Sequence, residues 1–285
     1  GAKLITIDSE KECLFYHLYF KYLFRYESDG RGNMEEYRRY NEPMFKSLQH
    51  CLKIYDSSRN EIQDFLCLKV GKDKVKLLIT EKGAQKENLE VPSQVCDGDG
   101  NVLNVIRLGN IFDIKAKKIV FKGDFDQLAL DCFAFEKNQY LKEVIFEGRV
   151  QNLSIGFRAF SGSNLTDFRI QNCDLTSLIV CGSAFLESKL QNFIIPEGNK
   201  LTSLKFENYA FSRCKELRRF IIPETACFTT LDVYNFVFWE SSNLEEFKFP
   251  QSATNIVVGI SAFGQTCIEN FDIPCKVNRA CIRCI

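Results

Sequence analysis

From about residue 115 to residue 275, apolar residues fall into two alternating triplets, each spaced three and then two. One triplet reads Leu141/Val144/Phe146, Leu165/Phe168/Ile170, Leu190/Phe193/Ile195, Leu217/Phe220/Ile222, Leu244/Phe247/Phe249 and Ile268/Phe271/Ile273. The other reads Phe125/Leu128/Leu130, Val150/Leu153/Ile155, Leu175/Leu178/Val180, Leu201/Leu204/Phe206, Phe228/Leu231/Val233 and Ala253/Ile256/Val258. After each member of the second series stands a pair: Ala134-Phe135, Ala159-Phe160, Ala184-Phe185, Ala210-Phe211, Val237-Phe238 and Ala262-Phe263. The pairs recur at steps of 25, 25, 26, 27 and 25 residues, and Pro closes the first triplet at Pro196, Pro223, Pro250 and Pro274.

The last two members of each triplet flank a single outward position, the period-2 signature of a half-buried strand. Each unit therefore holds two extended segments and two turns, one coil of a solenoid. A lone coil cannot bury its apolar side, but stacked coils can. Ala before Phe suits a tight corner where a bulkier residue would clash, and it predicts that each Phe stacks on the Phe of the next coil. The Leu-x-x-Phe-x-Ile segments are expected to form one continuous parallel sheet with a strand per coil.

These stretches, "IGFRAFSGSNLTDFRI" from Ile155 and "YAFSRCKELRRFIIP" from Tyr209, resemble the BspA-like leucine-rich repeats, also called the Treponema type. Their consensus is approximately Ile-Gly-x-x-Ala-Phe-x-x-Cys-x-x-Leu-x-x-Ile-x-Ile-Pro. The resemblance covers about residues 85 to 275. Weaker copies lead in at Leu89/Val91/Pro92, Ile111-Phe112 and Ala116/Ile119/Phe121, with "VPSQVCDGDGNVLNVIRLGNIF" as a longer opening repeat. The consensus Cys survives cleanly only at Cys214, and Phe replaces Ile in many strands, so a bulkier core is expected. The resemblance implies a solenoid that displays a broad sheet. It also implies a surface or secreted protein that engages proteins of a host, a matrix or another cell.

Residues 1–80 lack the repeat. Ser9-x-x-Glu12 forms a capping box, followed by Phe15, Leu18, Tyr19, Tyr22, Leu23 and Tyr26 at helical spacing. Pro43 suits the first turn of a second helix carrying Phe45, Leu48, Leu52 and Tyr55. A third is expected through Ile62, Phe65 and Leu66. The whole therefore reads as an α+β repeat protein: a small N-terminal helical domain (1–80) covering the first coil of a β-rich solenoid (81–285).

Lys plus Arg balance Asp plus Glu at 37 each, which points away from nucleic acid and anionic membrane as partners. No apolar run reaches the ~18 residues of a spanning helix. The N-terminus, "GAKLITIDSEKE", lacks the layout of a signal peptide. Thirteen cysteines are scattered rather than framed, and they are expected to be mostly reduced and buried. Such thiols suit a cytoplasmic scaffold as well as a surface protein.

Candidate chemistry is thin. His17 and His50-Cys51 are the only starts for a His-based dyad, and helix packing explains them. Cys281-x-x-Cys284 with Cys275 lacks the fourth ligand a structural zinc site needs. "DGDGN" at Asp97–Asn101 opens like a calcium loop, but Val102 and Leu108 stand where that loop requires Gly and Glu. Asn152 and Asn164 begin glycosylation sequons. No cofactor is expected, and no catalytic residue.

What remains is the outward positions of the Leu-x-x-Phe-x-Ile strands. They start basic at Lys117, Lys118 and Lys142, pass through Ile145, Arg169, Ile194, Arg218, Arg219 and Ile221, and end with Glu245, Glu246 and Lys248. Outward Ile beside paired Arg is the composition of an interface centre, so this face is the candidate site for a protein ligand. A solvated face is the plain alternative. Glycan binding ranks lower, because these columns hold no Trp or Tyr.

Overall fold

The computed structural model describes residues 51–110, 113–171, 174–197, 200–224, 228–270 and 279–282. It opens with β1 (Cys51–Leu52), β2 (Phe65–Lys69), β3 (Lys74–Ile79), the single-turn helix α1 (Glu81–Ala84), β4 (Asn88–Pro92), β5 (Gln94–Cys96) and β6 (Val102–Asn110). Paired strands follow: β7 (Lys118–Lys122) and β8 (Phe125–Leu130), β9 (Glu143–Phe146) and β10 (Val150–Ile155), β11 (Asp167–Ile170) and β12 (Ser177–Val180). The remainder are β13 (Asn192–Ile194), β14 (Ser203–Phe206), β15 (Arg219–Ile221), β16 (Thr230–Val233), β17 (Glu246–Lys248), β18 (Asn255–Val258) and β19 (Arg279–Ile282).

The two strands of a coil enter different sheets. The long sheet runs β1-β2-β3-β6-β8-β10-β12-β14-β16-β18-β19, with β5 paired to β6. From β3 onward its path is parallel. The Leu-x-x-Phe-x-Ile strands form the second face, but as two pieces: β13-β11-β9-β7-β4, and then β15-β17. The expected continuous sheet therefore belongs to the other triplet, and the face expected to be continuous is interrupted between β13 and β15.

The expectation of helix before the repeats is corrected where the structure describes it. Phe65 and Leu66 lie in β2, which pairs antiparallel with β3 in a hairpin. Leu52 lies in β1, and Tyr55 bridges Glu61 and Cys96. The cause is the partner strand: this short apolar run fits either period, and antiparallel pairing with Lys74–Ile79 fixes it as extended. The two earlier helices fall outside the described residues, except for the end of the second at Leu52 and Tyr55. The first coils are thus flanked by strands of the same sheet.

Between the sheets lies the Ala-Phe corner. Phe133, Arg158, Ser183, Tyr209, Phe236 and Ser261, each just before the pair, adopt left-handed φ values of 49° to 61°. A second left-handed residue follows at Lys137, Gly162, Glu187, Arg213, Glu240 and Gln265. Only one of these twelve is Gly, and each of the others costs on the order of 1 kcal/mol. Hydrogen bonds from the next coil hold the turn in place. The N–H of Phe135 donates to Ala159 O (2.7 Å), Phe160 to Ala184 O (2.7 Å), Phe185 to Ala210 O (2.8 Å), Phe211 to Val237 O (2.8 Å) and Phe238 to Ala262 O (2.7 Å).

The six corner rings are buried and stack face to face as expected, with centroids 5.1, 5.2, 5.0, 5.3 and 5.3 Å apart from Phe135 to Phe263. A second stack, Phe168–Phe193–Phe220–Phe247, runs beside it. Edge-to-face contacts such as Phe185–Phe193 (5.6 Å) and Phe211–Phe220 (5.2 Å) lock the two together. This double file accounts for much of the chain's 26 Phe residues.

The consensus Cys position also acquires a physical meaning. The Cys214 thiol donates to Phe185 O at 3.0 Å, and the Ser241 hydroxyl donates to Phe211 O at 2.8 Å. Ser241 Oγ in turn accepts from the Cys214 N–H at 3.1 Å. At these two corners a small buried donor reaches the preceding coil, and Ser serves as Cys does, whereas the buried Ser163 hydroxyl at the same position makes no such bond.

Phe211→Ala should remove a ring from the middle of both contacts and cost roughly 3–5 kcal/mol in urea unfolding. Ser241→Ala should cost about 1 kcal/mol, because it leaves the Phe211 carbonyl and the Cys214 N–H only their long mutual bond at 3.4 Å. A loss below the scatter of the measurement would show that these groups find other partners.

Candidate functional site

The outward residues of the second face do not behave alike. Val120 and Ile145 are buried at 5% and 4% exposure, so Ile145 is withdrawn from the binding surface. They sit in register on β7 and β9, between two cross-strand ion pairs on the same side. Those pairs are Lys118 with Glu143 (4.0 Å) and Lys122 with Glu147. Long ionic side chains flanking an apolar pair on a flat sheet shield it from water.

Lys117 is exposed and donates to Glu87 at 2.8 Å, a bond that raises the lysine's pKa and lowers the carboxyl's. Lys142 is exposed, and its carbonyl accepts the N–H groups of Thr166 and Asp167. Arg169 pairs with Asp167 at 3.2 Å, and Asp167 also accepts from Asn192 Nδ2 at 2.9 Å. Ile194, in register with Arg169, is 48% exposed.

Beyond β13 the geometry changes. Arg219 Nε contacts Glu246 Oε2 at 2.6 Å, and Lys248 contacts Glu246 Oε1 at 3.0 Å. Lys248 first, then Arg219, hold the Glu246 carboxyl below the usual range. Ile221 is half-buried opposite Lys248. Glu245 is exposed, and its N–H donates to Arg218 O at 2.8 Å. The Arg218 side chain is exposed and has no acidic partner among the described residues. Because β13 and β15 do not pair, Ile194 and Ile221 are not ladder neighbours, although the two strands stay side by side with Phe193 stacked on Phe220 at 5.4 Å. Instead a groove of about 350 Å³ opens there, lined by Gln191, Asn192, Glu216, Arg218 and Arg219.

A second exposed surface escaped the sequence reading, which searched only the strand columns for aromatics. Tyr209 is 39% exposed and stacks on Phe236 at 5.0 Å. Phe236 meets Trp239 edge-on at 6.2 Å, and the Arg213 guanidinium lies 5.1 Å from the Trp239 ring. Arg213 also bonds Glu240 (2.8 Å) and Glu187 (3.0 Å) on either side. The signal was available: Tyr209 and Phe236 occupy the slot just before the corner pair.

The other motifs resolve simply. The Asp97 carboxylate accepts from the N–H groups of Asp99 (3.0 Å) and Asn101 (2.9 Å), so DGDGN is a self-bonded turn. Asn152 and Asn164 donate their amides to Asp126 O and Gln139 O, both at 2.9 Å. No group of three or more His, Cys, Asp or Glu stands where it could hold a metal among the described residues. Cys275, Cys284, His17 and His50 lie outside them.

Seven described cysteines carry free thiols. Burial pushes the Cys67 and Cys214 thiols up to about 12. At pH 8 in the native protein, Cys132 and Cys267, which are exposed, should alkylate readily while Cys67 and Cys214 stay unlabelled until denaturant is added. Equal rates, read by peptide mass spectrometry, would contradict the corner packing.

Six copies of the BspA type Leucine rich repeat region match this chain, across residues 113–226 and 154–284. A leucine-rich repeat protein from Bacteroides ovatus, solved by crystallography, is 21% identical with a TM-score of 0.45, over 76% of this chain and 59% of its own. A leucine rich cell surface protein from Faecalibacterium prausnitzii is 15% identical with a TM-score of 0.29, over 80% of this chain and 84% of its own. The pneumococcal vaccine antigen PcpA is 12% identical with a TM-score of 0.28, over 81% of this chain and 85% of its own. No curated protein matches the chain in sequence.

Proposed function

Because this chain belongs to the BspA-type leucine-rich repeat family, we propose that it acts by binding another protein through the second face of its solenoid, not by catalysis. One observation carries this reading. An exposed Ile194 and an exposed Arg218 without an acidic partner flank the only interruption of that face among the described residues. Apolar area beside an available guanidinium is what an interface centre requires. Most other cations of the face already hold an acid from their own or a neighbouring coil.

Catalysis finds no support in the thiols. Burial moves Cys67 and Cys214 away from the thiolate form, opposite to the shift an activated nucleophile needs. The setting we propose is a cell surface or secreted form that engages a protein of another cell or a matrix, as the family implies.

Captured partners should be compared between the wild-type chain and the Ile194→Ala/Arg218→Ala double variant. The partner should bind the variant at least ~2 kcal/mol more weakly, with thermal stability nearly unchanged. Equal binding would remove this face from consideration. Binding lost together with stability would assign the two residues to the fold.

A further inference from the structure

We infer that the interruption between β13 and β15 is a notch for a single carboxylate, an Asp or Glu side chain of the partner; this rests on the binding reading above. Along the second face, each coil sends two N–H groups to one carbonyl of the coil before. Lys142 and Glu143 donate to Lys117 O (2.8 and 3.1 Å), Thr166 and Asp167 to Lys142 O (3.0 and 3.1 Å), and Gln191 and Asn192 to Thr166 O (2.9 and 3.2 Å). Glu245 and Glu246 donate to Arg218 O (2.8 and 3.3 Å). The series lacks the step from Gln191 to Arg218, as it also lacks its last step, from Glu245 to Glu269. At the first of these the Arg218 N–H has no hydrogen-bond partner among the described residues.

Arg218 lines the groove together with Gln191, Asn192, Glu216 and Arg219. The Arg218 guanidinium offers five donors and holds no acid there, while Arg219 is anchored outward by Glu246 at 2.6 Å. A main-chain N–H together with a guanidinium fork is a donor set suited to a carboxylate's two oxygens. Glu216 sets the charge limit. With Arg219 already paired, Arg218 and Glu216 balance each other in the lining, so a singly charged carboxylate meets less repulsion there than a dianionic phosphate.

The test uses the ¹⁵N-labelled full chain, titrated with acetyl-glutamate amide, acetyl-glutamine amide and inorganic phosphate. Acetyl-glutamate amide should give saturable shifts at the Arg218 amide and side chain, and acetyl-glutamine amide none. Arg218→Ala should weaken binding at least about tenfold. Glu216→Gln should tighten it roughly twofold or more by removing a like charge. Equal response to the glutamine probe, tighter binding of phosphate, or an unchanged affinity in Arg218→Ala would overturn the notch. If the notch binds acetyl-glutamate amide yet captured partners ignore the double variant, the interface reading falls and the notch stands.

Discussion

Each coil of this protein leaves a row of N–H and C=O groups on both of its flat sides, and only the adjoining coils can satisfy them. The strands meet that demand easily, because parallel pairing is the natural register of stacked extended segments. The corner is harder, since the chain must reverse within six residues while its apolar side chain still points inward. Two left-handed residues achieve the turn, and the N–H of each corner Phe reaches across to the next coil at 2.7–2.8 Å from Phe135 through Phe238. Once that spacing is imposed, the rings have little choice but to stack. The Phe file is therefore a consequence of backbone satisfaction as much as a source of apolar burial.

The same spacing organises the surface. Lys117 with Glu87, Lys122 with Glu147, and Arg219 with Glu246 are each one coil apart. Arg149 lies between Asp124 and Asp174, and Arg213 between Glu187 and Glu240, so single arginines tie three coils together. Exposed pairs of this kind add little each. On the second face they occupy most of the cations and leave Lys142 and Arg218 without an acidic partner among the described residues.

The repeat was legible because Ala-Phe and the two triplets are spaced by the coil itself, so the corner stack could be anticipated ring by ring. Which triplet makes the unbroken sheet was not legible. Leu-x-x-Phe-x-Ile and its counterpart share one alternation, and nothing local marks the lost pairing between Asn192 and Arg219. Burial of Ile145 escaped for a related reason: alternation assigns a side, while the shielding comes from ionic neighbours on β7 and β9. Ile62, Phe65 and Leu66 were read at helical spacing because a short apolar run satisfies both periods. The hairpin with Lys74–Ile79 decided between them.

Stacking by nearest neighbours alone has a mechanical consequence. A coil adds about 5 Å to the length of the stack, yet its 25 residues would span on the order of 85 Å when drawn straight. Pulled along its axis, the protein would lengthen by peeling coils from an end in nearly equal increments. The coils still stacked would keep their contacts, since none depends on a distant one. Such a molecule is a ratio of stored to presented length of roughly seventeen to one, able to yield under load without letting go.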